Sequence, residues 1–131
     1  MSNIPQILRD TKTIAIIGLS KNPSKASNEV ARYLMLYYTI IPVNPRYEEV
    51  LGLKCYPDLA SVPVQIDMVD VFQRSEAVMP FVAPSIEAGI KCFWMQMDIR
   101  HEGARLELES AGIYVVEDKC TKVEHAKVEH I

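Results

Sequence analysis

Five short apolar runs, at residues 13–17, 39–43, 68–72, 92–96 and 113–116, limit what this chain can fold into. Each has strand length and is rich in β-branched or aromatic residues. Most lack polar alternation, as strands covered on both faces do. Helical patterns lie between them. Across residues 27–38, Val30, Ala31, Leu34 and Met35 fall on one stripe. Across 102–111, Ala104, Leu108 and Ala111 share a face, and Gly112 marks the stop. Residues 75–90 offer Val78, Phe81, Val82 and Ile86, but Pro80 and Pro84 predict a late start or a kink. Pro5 opens a short helix over about residues 4–10 that carries Ile4, Ile7 and Leu8. A helical tail is expected over about residues 119–131, where Lys-Val-Glu-His occurs twice. The longest irregular stretch is 44–63, with a brief extended piece near 54–56.

Alternating strands and helices predict an α/β fold: a Rossmann-like, doubly wound, parallel five-stranded sheet forming a single domain over residues 1–131. A chain of this length that is 49% hydrophobic has enough apolar material for one core. Such sheets take ligands beyond the carboxyl ends of their strands, where the strand order reverses. The loops after Ile17, Val43 and Phe72 are therefore the expected site.

Charge and cysteine usage exclude several classes. A net charge of −3 gives no support for nucleic-acid binding. No apolar run is long enough to span a membrane, and the first residues do not read as a signal peptide. Cys55, Cys92 and Cys120 are odd in number and widely spaced, which argues against a disulfide framework or a zinc site. A cytoplasmic location is expected.

The first loop runs from Gly18 to Ser27 and enters a helix. Gly18 permits a tight turn off the strand. Ser20 and Ser27 supply hydroxyls, and Ser27 is placed to cap the helix. Free amides at the helix start attract anions, with Lys21 and Lys25 adding positive charge. Neither GxGxxG nor a Walker A pattern is present. The same residues also fit a plain capped turn with solvated lysines. The second strand ends in Pro42-Val43-Asn44-Pro45-Arg46, with no acid for a ribose diol. Arg46 suits a ribose carrying a phosphate, so coenzyme A and NADP both remain open.

The ordered segments GLSKNPSKASNEVARYL, PVNP, DMVDVFQRSE, FWMQMDIR and VVEDKCTKVEH resemble the stand-alone CoA-binding domain family, which is related to the CoA-binding domain of the succinyl-CoA synthetase α-subunit. The likeness covers about residues 7–125. It implies a Rossmann-like fold that binds coenzyme A or an acyl-CoA. It also implies that Gly18, Ser20, Lys25 and Ser27 hold the pyrophosphate. On the same basis Asn44, Pro45 and Arg46 line the adenosine side, and Val71, Phe72 and Arg74 flank the nucleotide. Gln96 is placed to reach the ligand from its strand end. The chain departs from the family where Lys25-Ala26-Ser27-Asn28 replaces Arg-Pro-Ser-Tyr, and where Asp98 replaces a glycine. Lysine keeps the charge but loses the bidentate fork, and a carboxylate near a bound anion is unfavourable.

Other reactive residues have bland readings. Cys120 and His125 are five apart, on different faces of a helix, so a structural cysteine is expected. Cys55 is expected in an exposed loop and Cys92 in the core. Trp94, Met95 and Met97 read as core. Asp67 and Asp70 bracket the third strand, one aimed at a loop and the other capping a helix. His101 is expected at the surface or as a cap, and no histidine spacing suggests a metal. With no nucleophile and base in a recognisable arrangement, the chain is expected to bind its ligand without catalysis, as a carrier, sensor or regulatory module. A small NADP-dependent reductase and a detached subunit of a CoA ligase or transferase are the alternatives. A protein partner or a homo-oligomer fits these readings equally.

Overall fold

A computed structural model of the chain describes residues 3–128. Helix α1 (Ile4–Asp10) has proline in its first turn and buries Ile4 and Leu8. Strand β1 (Thr13–Ile17), helix α2 (Ala26–Leu34) and strand β2 (Thr39–Val43) follow. Two dipeptides, β3 (Glu49–Val50) and β4 (Leu53–Lys54), pair as an antiparallel hairpin. Then come strand β5 (Met68–Val71), helix α3 (Val82–Glu87), strand β6 (Cys92–Met95) and helix α4 (Glu102–Ser110). Strand β7 (Tyr114–Val116) and helix α5 (Thr121–Ala126) complete the described chain.

The main sheet is parallel, in the order β2-β1-β5-β6-β7. Strand residues alternate between two cores. Ile14, Ile16, Met68 and Trp94 pack with Leu8, Val30 and Leu34 on one face. Ala15, Ile17, Val69 and Phe93 pack with Val82 and Leu108 on the other. Burial on both faces is why the strand runs show no polar alternation. The chain turns from β1 to β2 on one side and to β5 on the other, so the order reverses beside β1. Ligands of such sheets sit at that switch point.

The fold corrects several expectations. Helix α2 stops at Leu34, and Met35 lies partly exposed in the following turns instead of completing the buried stripe. Residues 75–90 hold two short 3₁₀ turns, Ser75–Ala77 and Met79–Phe81, before α3. The prolines delay the α-helix, and Ile86 faces outward. Ala111 follows α4 as its exposed C-cap. Lys25, not Ser27, is the N-cap of α2. Cys55 is buried, its thiol near the carbonyl oxygen of Asn44, and burial pushes it up from the usual thiol range. Cys92 lies in the core as expected, and Met97 is exposed. Of the expected tail, residues 129–131 lie outside the described residues. No described helix is long and apolar enough to cross a membrane.

Two aromatic hydroxyls lock the helices of one face. Tyr38 donates to the carbonyl oxygen of Leu8 at 2.7 Å, and burial raises its pKa to about 12. Tyr33 lies 2.7 Å from Nδ1 of His125, tying α2 to α5. His125 is thus engaged with tyrosines rather than paired with Cys120, and burial lowers its pKa.

Candidate functional site

A cleft of about 840 Å³ opens at the carboxyl ends of β1, β2, β5 and β6. It is lined at the end of β1 by the turn at Gly18, whose φ of +82° lies in the left-handed region. A Cβ there would fall 2.5 Å from the carbonyl oxygen of Phe72. The loops leaving β1 and β5 therefore meet closely only because residue 18 has no side chain.

The loop from Ser20 to Asn28 is stitched by its own polar groups. The backbone N–H of Ser20 donates to Oγ of Ser27 at 3.0 Å, and that of Asn22 to Oγ of Ser20 at 3.0 Å. Asn28 donates to the carbonyl oxygen of Ser20 at 2.8 Å and accepts from Arg32 at 2.8 Å. The two serine hydroxyls thus shape the loop as acceptors while keeping a proton each to donate. Helix α2 has no side-chain cap, and the amides of Ala26 and Ser27 make no hydrogen bond among the described residues. Open amides and the positive end of the helix dipole suit an anion.

The second wall comes from the loop after β2. Asn44 donates to the carbonyl oxygen of Leu19 at 3.1 Å and accepts from the backbone of Arg46 at 3.0 Å, which ties the β1 and β2 loops together. Pro45, Arg46 and Tyr47 line the cleft, with the ammonium of Lys21 5.4 Å from the Tyr47 ring centroid. Neither Lys25 nor Arg46 has an ion-pair partner among the described residues. Arg74 meets Glu76 at 3.5 Å in an exposed pair worth little.

The far end is built by Gln96, Met97 and Ile99 after β6, and by Cys120 and Val123 at α5. Beneath it lies Asp70 in the middle of β5, wholly buried. It accepts hydrogen bonds from Nε2 of Gln96 and, at 2.9 Å, from Oγ1 of Thr121. Burial pushes its pKa up to about 7, against the lowering pull of those two donors. Asp67 instead accepts from the backbone N–H groups of Lys12 and Thr13, both at 3.0 Å. Asp67 thus faces the loop that enters β1, while the expected helix-cap role gives way to a buried network around Asp70.

Among the residues singled out from the sequence, Gly18, Ser20, Lys25, Ser27, Asn44, Pro45, Arg46, Phe72, Arg74 and Gln96 all line this cleft. Val71 does not. It is the last residue of β5 and fully buried, its side chain packed into the second core cluster instead of the crevice. The local motifs missed Tyr47, Met97, Ile99, Cys120 and Val123; only the tertiary fold brings them together. Asp98 adopts a φ of +69°, the conformation that explains a glycine there in the family, and its exposed side chain does not line the cleft. Its backbone N–H donates to Asp118 at 2.6 Å, which with Arg100 holds the Asp118 carboxyl below the usual range. His101 caps α4, accepting from the N–H of Ala104 at 3.0 Å. Among the described residues no cluster of three or more His, Cys, Asp or Glu side chains forms a metal site.

Comparison with known proteins agrees with this fold. The family model described as "CoA binding domain" matches residues 12–126. The chain is 37% identical over 126 residues to the uncharacterized protein YneT of Bacillus subtilis, covering 95% of this chain and 93% of that one. A solved structure of a hypothetical protein from Pyrococcus horikoshii superposes with a TM-score of 0.93 at 37% identity, covering 96% and 89%. An ADP-forming acetate–CoA ligase of Archaeoglobus fulgidus is 31% identical over 109 residues, which are 75% of this chain and 15% of the ligase.

Proposed function

Because the chain belongs to the CoA-binding domain family, we propose that its cleft holds coenzyme A or an acyl-CoA, in a non-catalytic role as carrier, sensor or regulatory module. One observation carries the reading. Lys25, the open amides that start α2, and Arg46 border the same cleft whose far end is apolar. Phosphates find cations and N–H donors at one end. A long, weakly polar arm finds Met97, Ile99 and Val123 at the other. Lys25 and α2 take the pyrophosphate, Arg46 the ribose phosphate, and Asn44 with Pro45 the adenosine.

Titration calorimetry with CoA and dephospho-CoA tests this directly. CoA is expected to bind about tenfold more tightly, since one charge-assisted contact to the ribose phosphate is worth about 1.5 kcal/mol. Arg46→Ala is expected to level the two affinities. No heat with either ligand at millimolar concentration would defeat the reading. In a thermal-shift series CoA is expected to raise the unfolding midpoint more than NADPH, because a ligand of the native state stabilises it.

Thiol chemistry supplies a second check. Cys55 and Cys92 are buried, and burial raises both thiols out of the reactive range. Cys120 is half-buried on the cleft wall. Native protein is expected to alkylate fastest at Cys120, and saturating CoA to slow that reaction at least fivefold. Mass mapping that finds the same rate with and without CoA would place the ligand elsewhere.

A further inference from the structure

Gln96 is held in a way the phosphate end of the cleft does not explain. The residue is only 5% exposed, yet it lines the cleft. Its Nε2 donates to Asp70 and, at 2.8 Å, to Oγ1 of Thr121. Both protons of the amide are thereby committed. The hydroxyl proton of Thr121 goes to Asp70, so Thr121 oxygen is free to accept from Gln96. Above pH 7, where Asp70 is ionised, the orientation is chosen by charge: turned over, the amide would aim its oxygen at a carboxylate. Asp70 and Thr121 are both fully buried, and they lie on the nitrogen side. Among the described residues Oε1 of Gln96 accepts no hydrogen bond. Nor is it a buried atom without a partner, as Nε2 of His125 is among the described residues. The carbonyl oxygen is thus the end of the amide reached from the cleft.

We propose that Asp70 and Thr121 are positioning residues that turn the Gln96 carbonyl oxygen toward the cleft, where it accepts a hydrogen bond from an amide N–H of the ligand's pantetheine arm. This rests on the CoA reading of the cleft. Gln96 follows β6, which lies two strand spacings, about 10 Å, across the sheet from β1, on the side where an arm leaving the pyrophosphate would run. The neighbouring wall is apolar, so a donor on the ligand has this acceptor to meet. Without it, the N–H would lose water and gain nothing.

Adenosine 3′,5′-bisphosphate, which lacks the arm, separates the two ideas. In calorimetry at pH 8, Gln96→Met is expected to weaken CoA about tenfold and leave the bisphosphate unchanged. Thr121→Val frees the amide to rotate and is expected to weaken CoA about threefold, while Thr121→Ser restores wild-type affinity. Q96M binding CoA as tightly as wild type overturns the proposal. Should Q96M fail to fold, Thr121→Val binding CoA as tightly as Thr121→Ser overturns it instead. Wild type binding CoA no more tightly than the bisphosphate also overturns it, leaving the phosphate end intact. Wild type binding neither defeats the CoA reading itself.

Discussion

Gly18→Ala is expected to destabilise the protein by about 3 kcal/mol or more and to abolish CoA binding in calorimetry. Two independent effects add. The left-handed backbone at this position strains any side chain. The new methyl would also sit 2.5 Å from the carbonyl oxygen of Phe72, where only backbone movement can relieve it. Relief pushes the β1 and β5 loops apart, and those loops meet at the switch point of the sheet. Chemical denaturation reads the first effect, and titration of the folded variant reads the second. A variant with wild-type stability and affinity would show that the close approach is dispensable.

Stability is also expected to fall as pH rises from 4 to 7, by up to about 4 kcal/mol from Asp70 alone. Its pKa is about 7 in the folded protein, against an ordinary carboxyl value of 3.8 in the unfolded chain. Within that window the folded state keeps a proton that the unfolded chain has released. The folded state binds more protons, so raising the pH favours unfolding. The contribution is complete below the unfolded value and is lost as pH passes through 7. Asp118, held low by Asp98 and Arg100, acts in the opposite sense at lower pH. Comparison with Asp70→Asn cancels it, since both proteins carry it. Urea unfolding from pH 4 to 8 should show wild type losing ground steadily to the variant. Parallel curves would mean that Asp70 is ionised across the whole range.

The strands were legible because each is buried on both faces. Continuous apolar runs such as Thr13–Ile17 leave no competing pattern, and their ends moved by no more than one residue. The end of α2 was not, since Met35, Leu36 and Tyr37 prolong the apolar pattern into an exposed turn. The part of the cleft formed by the first two loops was readable from them, because its residues are neighbours in sequence. The far wall was not. Cys120 and Val123 arrive there from about a hundred residues beyond Gly18, through the docking of α5. One signal for that wall did exist: a lone carboxylate, Asp70, inside an otherwise apolar strand demands buried donors from elsewhere in the chain. Val71 illustrates the opposite trap, a residue beside the site in sequence whose side chain points into the core.

Docking of α5 onto Asp70 has a consequence for biosynthesis. The crevice gains its last wall only when residues 120–123 have left the ribosome and Thr121 has found its carboxylate. A nascent chain ending before Thr121 displays the Gly18–Ser27 turn but leaves the buried acid and the Gln96 amide short of a partner. A chain that has reached residue 123 is thus the first that can present all of these walls at once.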